Sequence, residues 1–458
     1  MTRFIPSDRS QPFLLPPDLR EWVPEDDLAH FVIEAVERVE TGKFKINHRG
    51  SGSQQYNPLM MLALIVYCYA NGIFASRRIE KATYRDVVVR FVAANTHPCF
   101  DTICTFRREN FAAIEEAFLQ VLTLAKELKI LKVGTVSVDG TKIDANANIH
   151  KSVRYDRAVE LRQKLKLEIA ELMAKAEAAD VANEKEAASL PKEIARREKL
   201  RDKMDAACQR LEAQAKAKAA QEREEYEKKK KDHEDRNGAG RPPSPPCELP
   251  QPKDQSNLTD PESRIMRKNK RSEYRQSYNA QAGVVARKLA SEDADGTQLV
   301  LSTTVSQCAS DANELVSTVS AIPAEIGKPV TVLADTGYAN GDAVAELQKG
   351  AIEVLVALPG QNHRRQHDLR PTPPEKPPRE IKADWMKAMK IAMESEAGKN
   401  KYRKRKQTVE PVFGIIKHAM KFRQFLLRGL AKVTGEWRLV ALAYNCRRLH
   451  TLVLALRA

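Results

Sequence analysis

The sequence predicts an α/β core, a mixed five-stranded sheet with flanking helices, plus an all-α N-terminal domain and an inserted helical hairpin or coiled coil. Three observations carry that prediction. Short apolar runs alternate with helical patterns between residues 278 and 358. Residues 153–236 change abruptly to Lys, Glu, Ala, Arg and Gln, with apolar side chains at spacings of three and four,. The chain ahead of them reads as several short helices. At 458 residues it is too long for one core, so two or three domains are expected,. The expected divisions are 1–45 (lead and helix), 46–133 (helical domain), 134–152 with 257–458 (core), and 153–256 (inserted arm and linker).

A Pro-containing lead precedes an amphipathic helix, DDLAHFVIEAVERVE. Next, YNPLMMLALIVYCYANG (56–72) has a proline at its start and a glycine at its stop,. IEKATYRDVVVRFVAAN follows Arg77 and Arg78, and FDTICTFRREN carries Arg107 and Arg108. Short helices with basic residues on the later ones suit a DNA-docking module of helix-turn-helix type. A plain bundle with a solvated basic face fits equally.

In the arm, Leu165, Ile169, Leu172, Ala176 and Ala179 form one stripe, and Leu200, Met204, Ala207 and Leu211 a second after Pro191,. A hairpin with its turn near 182–190 follows, as a spacer or dimerising arm, ending in the charged, disorder-prone linker KKKKDHEDRNGAGRPPSPP,. Beyond it, YNAQAGVVARKL and TQLVLSTTVS read as strands around the turn ASEDADG. SDANELVSTVSAI reads as a helix N-capped by Ser310, PVTVLAD as a strand, GDAVAELQKG as a helix closed by Gly350, and IEVLVAL as a strand. A polar loop with five prolines between 371 and 378 precedes two basic helices, 408–421 and 435–456.

Without the arm, the order is three strands, a helix, and then strand–helix alternation, which is the order of the ribonuclease-H-like fold. There the first strand lies beside the fourth at the centre of the sheet. VSVDGTKI and VLADTGYAN each end an apolar run on an aspartate, Asp139 and Asp335. A desolvated carboxylate costs several kcal/mol unless compensated. Neighbouring strand ends would bring the two together, and each explains the other if a divalent metal sits between them. Mg²⁺ prefers oxygen ligands, and two ions about 3.5–4 Å apart can activate a hydroxyl and stabilise a leaving oxygen. Glu410 is the candidate third acid, because no other acidic residue lies between Lys399 and Gly435. Glu410 and Lys417 are seven residues apart, which places both on one helix face,.

The net charge of +15 favours a polyanionic partner,. From Lys399 onward, 15 Lys and Arg face only Glu410 and Glu436. Sparse aromatics argue against readout of single strands by base stacking. Seven scattered cysteines without a CxxC pair read as reduced thiols in a cytosolic protein,. Cys99-x4-Cys104 beside His97, and His363-x3-His367, are weak metal patterns for which core or loop residues are the plainer reading,. No signal peptide is evident, and the apolar run at 59–70 is too short to span a bilayer,.

VSVDGTKIDANAN, NLTDPESRIM, YNAQAGV, VLADTGYAN, YRKRKQTVEPVFGIIKHAMKFRQFLLRGL and EWRLVALAYNCRRL together resemble the DDE transposases of bacterial insertion sequences. GSGSQQYNPLMMLALIVYCYANGIFASRRIEKA and FDTICTFRREN resemble the N-terminal domain typical of the same family. The resemblance covers roughly 45–150 and 257–450. It implies that Asp139, Asp335 and Glu410 chelate two Mg²⁺ ions, with Mn²⁺ as a substitute, and that Lys417 contacts a phosphate near the scissile bond. Relatives carry a box spaced Y-x2-R-x3-E-x6-K. Here Tyr402 and Arg405, and Glu410 and Lys417, keep the outer spacings, but the middle gap is x4, so Arg403 or Lys406 competes with Arg405. The implied DNA contacts are Tyr402, Arg403, Arg405, Lys406, Lys417, Lys421, Arg423 and Arg428, beside Arg77, Arg78, Arg107 and Arg108. The implied partners are double-stranded DNA, as element terminal inverted repeats and target, and a second copy in a homodimer. The expected location is the bacterial cytoplasm, on the nucleoid. The alternatives are a ribonuclease-H-like nuclease without strand transfer and a catalytically dead DNA-binding relative.

Overall fold

The computed structural model describes residues 18–47, 54–182, 190–235, 242–268, 272–286, 297–358, 381 and 383–457. The five-proline loop, His363, His367, the hairpin turn of the arm and the ASEDADG turn lie outside the described residues. A six-stranded mixed sheet forms the centre. Its strands are β1 (Thr135–Asp144), β4 (Arg264–Arg267), β5 (Tyr274–Val285), β6 (Val300–Ser306), β7 (Thr331–Ala334) and β8 (Glu353–Val356); β2 (Ser152–Arg154) and β3 (Gln255–Asn257) form a separate pair. The path is β4-β5-β1-β7-β8, with β6 also on β5. The first core strand lies beside the fourth, as expected: β1 runs antiparallel to β5 and parallel to β7. The sixth strand, β4, was not foreseen; it pairs with the start of β5, ahead of the stretch that β6 uses. From Gln276 to Val285 every residue of β5 is buried, as befits a central strand covered on both faces,.

Helices α1 (Leu28–Glu37), α2 (Pro58–Ala70), α3 (Ser76–Arg85), α4 (Val87–Val92), α5 (Phe100–Glu109) and α6 (Phe111–Glu127) precede the sheet. Pro58 takes the first position of α2, where its missing N–H costs nothing, and Asn57 Oδ1 caps the amides of Leu59 and Met60,. From Met61 to Ala70 all of α2 is buried, between neighbouring helices and the last helix, α13 (Leu430–Arg457). One contiguous hydrophobic cluster runs from Ala29 through the sheet to Leu449. A buried polar knot ties its ends together. Glu436 on α13 accepts from the Tyr69 hydroxyl (3.1 Å) and from the amides of Leu426 and Leu427 (both 2.9 Å), while Arg107 donates to Tyr69 and to the Phe74 carbonyl. On the same helix, Asn445 exchanges hydrogen bonds with both main-chain groups of Val300, closing the β6 edge,.

The arm leaves and rejoins the core at the β2–β3 pair. Its helices are α7 (Tyr155–Ala182) and α8 (Leu190–Asp235). Ion pairs Arg162–Asp205 and Arg197–Glu168 set them antiparallel, around a cluster that includes Leu165, Met204, Ala207 and Cys208. Leu200 departs from expectation and is 41% exposed; Arg197 and Arg201 take the seam there, paired with Glu168, Glu193 and Asp202. The lysine run also differs: α8 continues through it to Asp235, because nothing before Gly238 breaks a helix,.

Three further helices are α9 (Glu314–Ser320), α10 (Gly341–Lys349) and α11 (Asp384–Glu394). Helix α9 starts four residues beyond Ser310, at the Asn313 cap, because Asp311 is drawn into side-chain bonds described below. Helix α12 (Glu396–Gly414) begins earlier than expected, because Ser395 caps the Gly398 amide. It then opens into one π turn at Ile415–Ala419.

Candidate active site

Strands β1 and β7 stop pairing at Ser137 and Leu333, and Asp139 and Asp335 each lie two residues further on. With side chains alternating along a strand, the parallel register places both carboxylates at the same level, where β7 ends; β1 does not end there as the sequence suggested but runs on to Asp144, paired with β5,. Asp139 Oδ1 accepts from the Gly140 amide (2.9 Å), and Asp335 Oδ1 accepts from the Gly337 amide (2.8 Å), capping a short 3₁₀ turn at Thr336–Tyr338.

Helix α12 lies over both aspartates. Tyr402 donates its hydroxyl to the Ala334 carbonyl (3.1 Å), the residue just before Asp335. One turn later, Arg405 is only 7% exposed and its guanidinium is the hub of the site. Nη2 lies 3.2 Å from Asp139 Oδ2 and 3.6 Å from Asp335 Oδ2, and Nη1 lies 3.7 Å from Glu410 Oε1. Nε is buried without a hydrogen-bond partner. Burial pushes the Asp139 carboxyl up to about 6, against the downward pull of Arg405 and with a further upward push from Asp335.

Pro411 and the π turn alter the phase of the helix after Glu410,. Lys417 lies within the π turn, and its ammonium donates to Thr141 Oγ1, two residues along β1 from Asp139. Burial lowers the Lys417 pKa, and neighbouring Lys268 adds to that.

The other basic candidates separate into two groups. Arg403, Lys406, Lys421, Arg423 and Arg428 are exposed, as are Arg77, Arg78 and Arg108 on α3 and α5. Arg107 is 4% exposed and held inward by Tyr69 and Phe74, so this side chain cannot meet DNA in this fold. The guanidinium of Arg405 likewise faces acids rather than solvent. Among the described residues, His97, Cys99 and Cys104 do not converge: His97 bonds Thr83 and stacks on Tyr84, while Cys99 bonds Thr102.

The donor set suits a hard divalent cation, since all three acids offer carboxylate oxygens. Among the described residues no three His, Cys, Asp or Glu side chains stand close enough to share one ion as they are. The spacing around Asp139, Asp335 and Glu410 is that of a guanidinium, the cation those oxygens now face.

A fourth carboxylate stands behind these aspartates and had no signature of its own in the sequence. Asp311 pairs with Lys142 (3.2 Å) and accepts at Oδ1 from Asn279 (2.6 Å) and Gln281 (2.8 Å). The available hint was Asn279 and Gln281 themselves, two polar side chains on one face of β5.

Two family models match the chain: Transposase DDE domain over residues 363–450, and Transposase domain (DUF772) over residues 17–109. The first spans Glu410 and Lys417 but neither aspartate. Nothing matches among the curated proteins or among the solved structures. No helix among the described residues is long and apolar enough to cross a membrane. A transposase domain is thus matched towards each end of the chain, and it is to transposases that both regions are similar.

Proposed function

We propose that the protein cuts the ends of an insertion sequence and joins them to target DNA, with Asp139, Asp335 and Glu410 as the acidic triad of a ribonuclease-H-like core. The observation that supports this most is the gathering of three carboxylates, from the middle of β1, the end of β7 and helix α12, around a single buried guanidinium. Acids collected in that way repel one another unless a cation balances them. When held by these oxygens, two Mg²⁺ ions, or Mn²⁺ in their place, would supply Lewis-acid activation of a water or 3′-hydroxyl and neutralise charge at the leaving oxygen.

The remaining tasks fall to the chain itself. Tyr402 holds the tip of β7, and through it Asp335, against α12. Arg405 balances the acids while no other cation does. Lys417, half-buried beside Asp139, meets a phosphate next to the scissile bond. Arg403, Lys406, Lys421, Arg423 and Arg428 follow the DNA backbone, and Arg77, Arg78 and Arg108 give the helical N-terminal region a second contact with the element's terminal repeat. The active complex is a homodimer acting on the nucleoid, with residues 153–256 an insertion in the catalytic domain.

Cleavage of a DNA substrate carrying the element's ends tests the triad. Asp139→Ala, Asp335→Ala and Glu410→Ala should each abolish Mg²⁺-dependent cutting while leaving DNA affinity within about twofold. Retained cutting in any of them removes that residue from the site. Joining of pre-cut ends to a target separates transposition from simple nuclease action. DNA affinity should fall with salt by about 0.9 log units per decade for each phosphate contact.

A further inference from the structure

We propose that Asp311 is a positioning residue for this site, holding Asp139 on β1 and the turn that carries Asp335 after β7 in mutual register from the opposite face of the sheet. The proposal rests on the triad reading above. In the β1–β5 ladder, Asp139 stands opposite Ala282, whereas Gly140 and Lys142 stand opposite Gln281 and Asn279. Paired residues share a face and successive ones alternate. Asp139 therefore points to the α12 side, and Gly140, Lys142, Asn279 and Gln281 point to the side where Asp311 sits.

Both segments pack around that carboxylate. A Cβ on Gly140 would lie 2.7 Å from Asp311 Oδ1 and 2.3 Å from Gln281 Nε2, so the glycine after Asp139 makes room for them. A Cβ on Gly337, two residues after Asp335, would lie 3.6 Å from Asp311 Oδ2. The amides of these same glycines hold the two acids, Gly140 bonding Asp139 and Gly337 bonding Asp335. A chain of hydrogen bonds completes the link. Gln281 donates Nε2 to Asp311, and its Oε1 accepts from the buried Tyr338 hydroxyl, in the turn that Asp335 caps. An acceptor on one side and a phenol on the other leave the Gln281 amide one orientation. Lys142 balances the charge of Asp311, and both side chains are mostly buried. Asp311 thus bonds β1 and β5 directly and reaches the β7 turn through one amide.

Groups that orient ligating carboxylates affect metal affinity by about 10–100-fold when removed. Mn²⁺ binding to the full-length chain, read by the loss of free-ion electron paramagnetic resonance signal, tests the assignment. Asp335→Asn should abolish site binding. Asp311→Asn should weaken it by about tenfold or more, with occupancy and DNA cleavage recovering as Mn²⁺ is raised. Tyr338→Phe leaves every carboxylate in place; it should weaken binding by a smaller factor and be non-additive with Asp311→Asn, because both cut one chain of bonds. Should Asp311→Asn fail to fold, a loss in Tyr338→Phe still supports the linkage and an unchanged affinity overturns it. If Asp335→Asn leaves Mn²⁺ binding intact, the triad reading itself fails. If Asp335→Asn abolishes binding but Asp311→Asn leaves it unchanged, only the Asp311 assignment falls. A loss in Asp311→Asn that no Mn²⁺ concentration restores overturns positioning in favour of direct ligation, and strictly additive effects with Tyr338→Phe overturn the linkage.

Discussion

Asp139 carries the strongest electrostatic tension in the site. Its side chain is 18% exposed, against 42% for Asp335 and 54% for Glu410. Burial raises its pKa from 3.8 to about 6, although Arg405 opposes the shift. Between those values the folded chain holds a proton that the unfolded chain has released. Stability is then fully present below about pH 4 and falls as the pH rises through about 6, by on the order of 3 kcal/mol. Asp139→Asn should remove that dependence: urea unfolding in EDTA should give a profile flatter than wild type between pH 4 and 6. An unchanged slope would mean that another group titrates there. The aspartates were legible because a charge at the end of an apolar run has few structural uses. The role of Arg405 was not. Its place in a basic run of the sequence suggested a surface contact, and only tertiary packing turns one arginine of several towards the acids.

At the scale of elements, strands with an apolar run were readable, whereas the short polar strands β2, β3 and β4 were not. The apolar run ending in Asp-Thr-Gly located β7 closely, but β1 carries its pairing with β5 past Asp139 to Asp144 through alternating polar residues. Helix α12 was misjudged at both ends. Ser395 starts it early, and Pro411 with the following π turn re-aims Lys417 towards Thr141. Such a shift depends on what the helix packs against. Glu436 is the clearest case of tertiary context overriding composition. In the sequence it is one of two acids in a basic tail; in the fold it is fully buried and its pKa is raised by that burial, with Arg107 pulling the other way. Its carboxylate satisfies two main-chain amides and the Tyr69 hydroxyl. Glu436→Ala would leave those donors unpaired in the core, at a cost of about 3 kcal/mol or more. Denaturant melts should show the midpoint falling accordingly. A change below about 0.5 kcal/mol would show that the amides find other acceptors.

The whole molecule divides along a different line from the one composition suggests. The N-terminal helices look like a module that could be detached, yet α2, α5 and α6 share one core with α13, and the Arg107–Tyr69–Glu436 knot crosses that junction. The arm looks integral because it lies between β2 and β3, within the part of the chain that builds the sheet, yet α7 and α8 keep a separate cluster. The β2–β3 ladder brings the two ends of the insertion side by side, with Tyr155 donating its amide to the Asp254 carbonyl (2.8 Å). Two deletions should therefore behave oppositely. Replacing residues 156–253 with a short Gly-containing turn leaves the ladder closed and every residue of the triad in place. That chain should fold with a loss of about 1–2 kcal/mol, chiefly from exposing Val153 and Leu258, which pack into the cluster of the arm,. Its Mn²⁺ affinity should match that of the full chain. A chain starting at residue 134 loses the Tyr69 hydroxyl and the Arg107 charge that balance buried Glu436, and uncovers the buried face of α13, so it should give no cooperative melt. Circular dichroism melts of the two chains decide the matter. A cooperative melt from the chain lacking the N-terminal helices, or an unfolded armless chain, would reverse this division of the core.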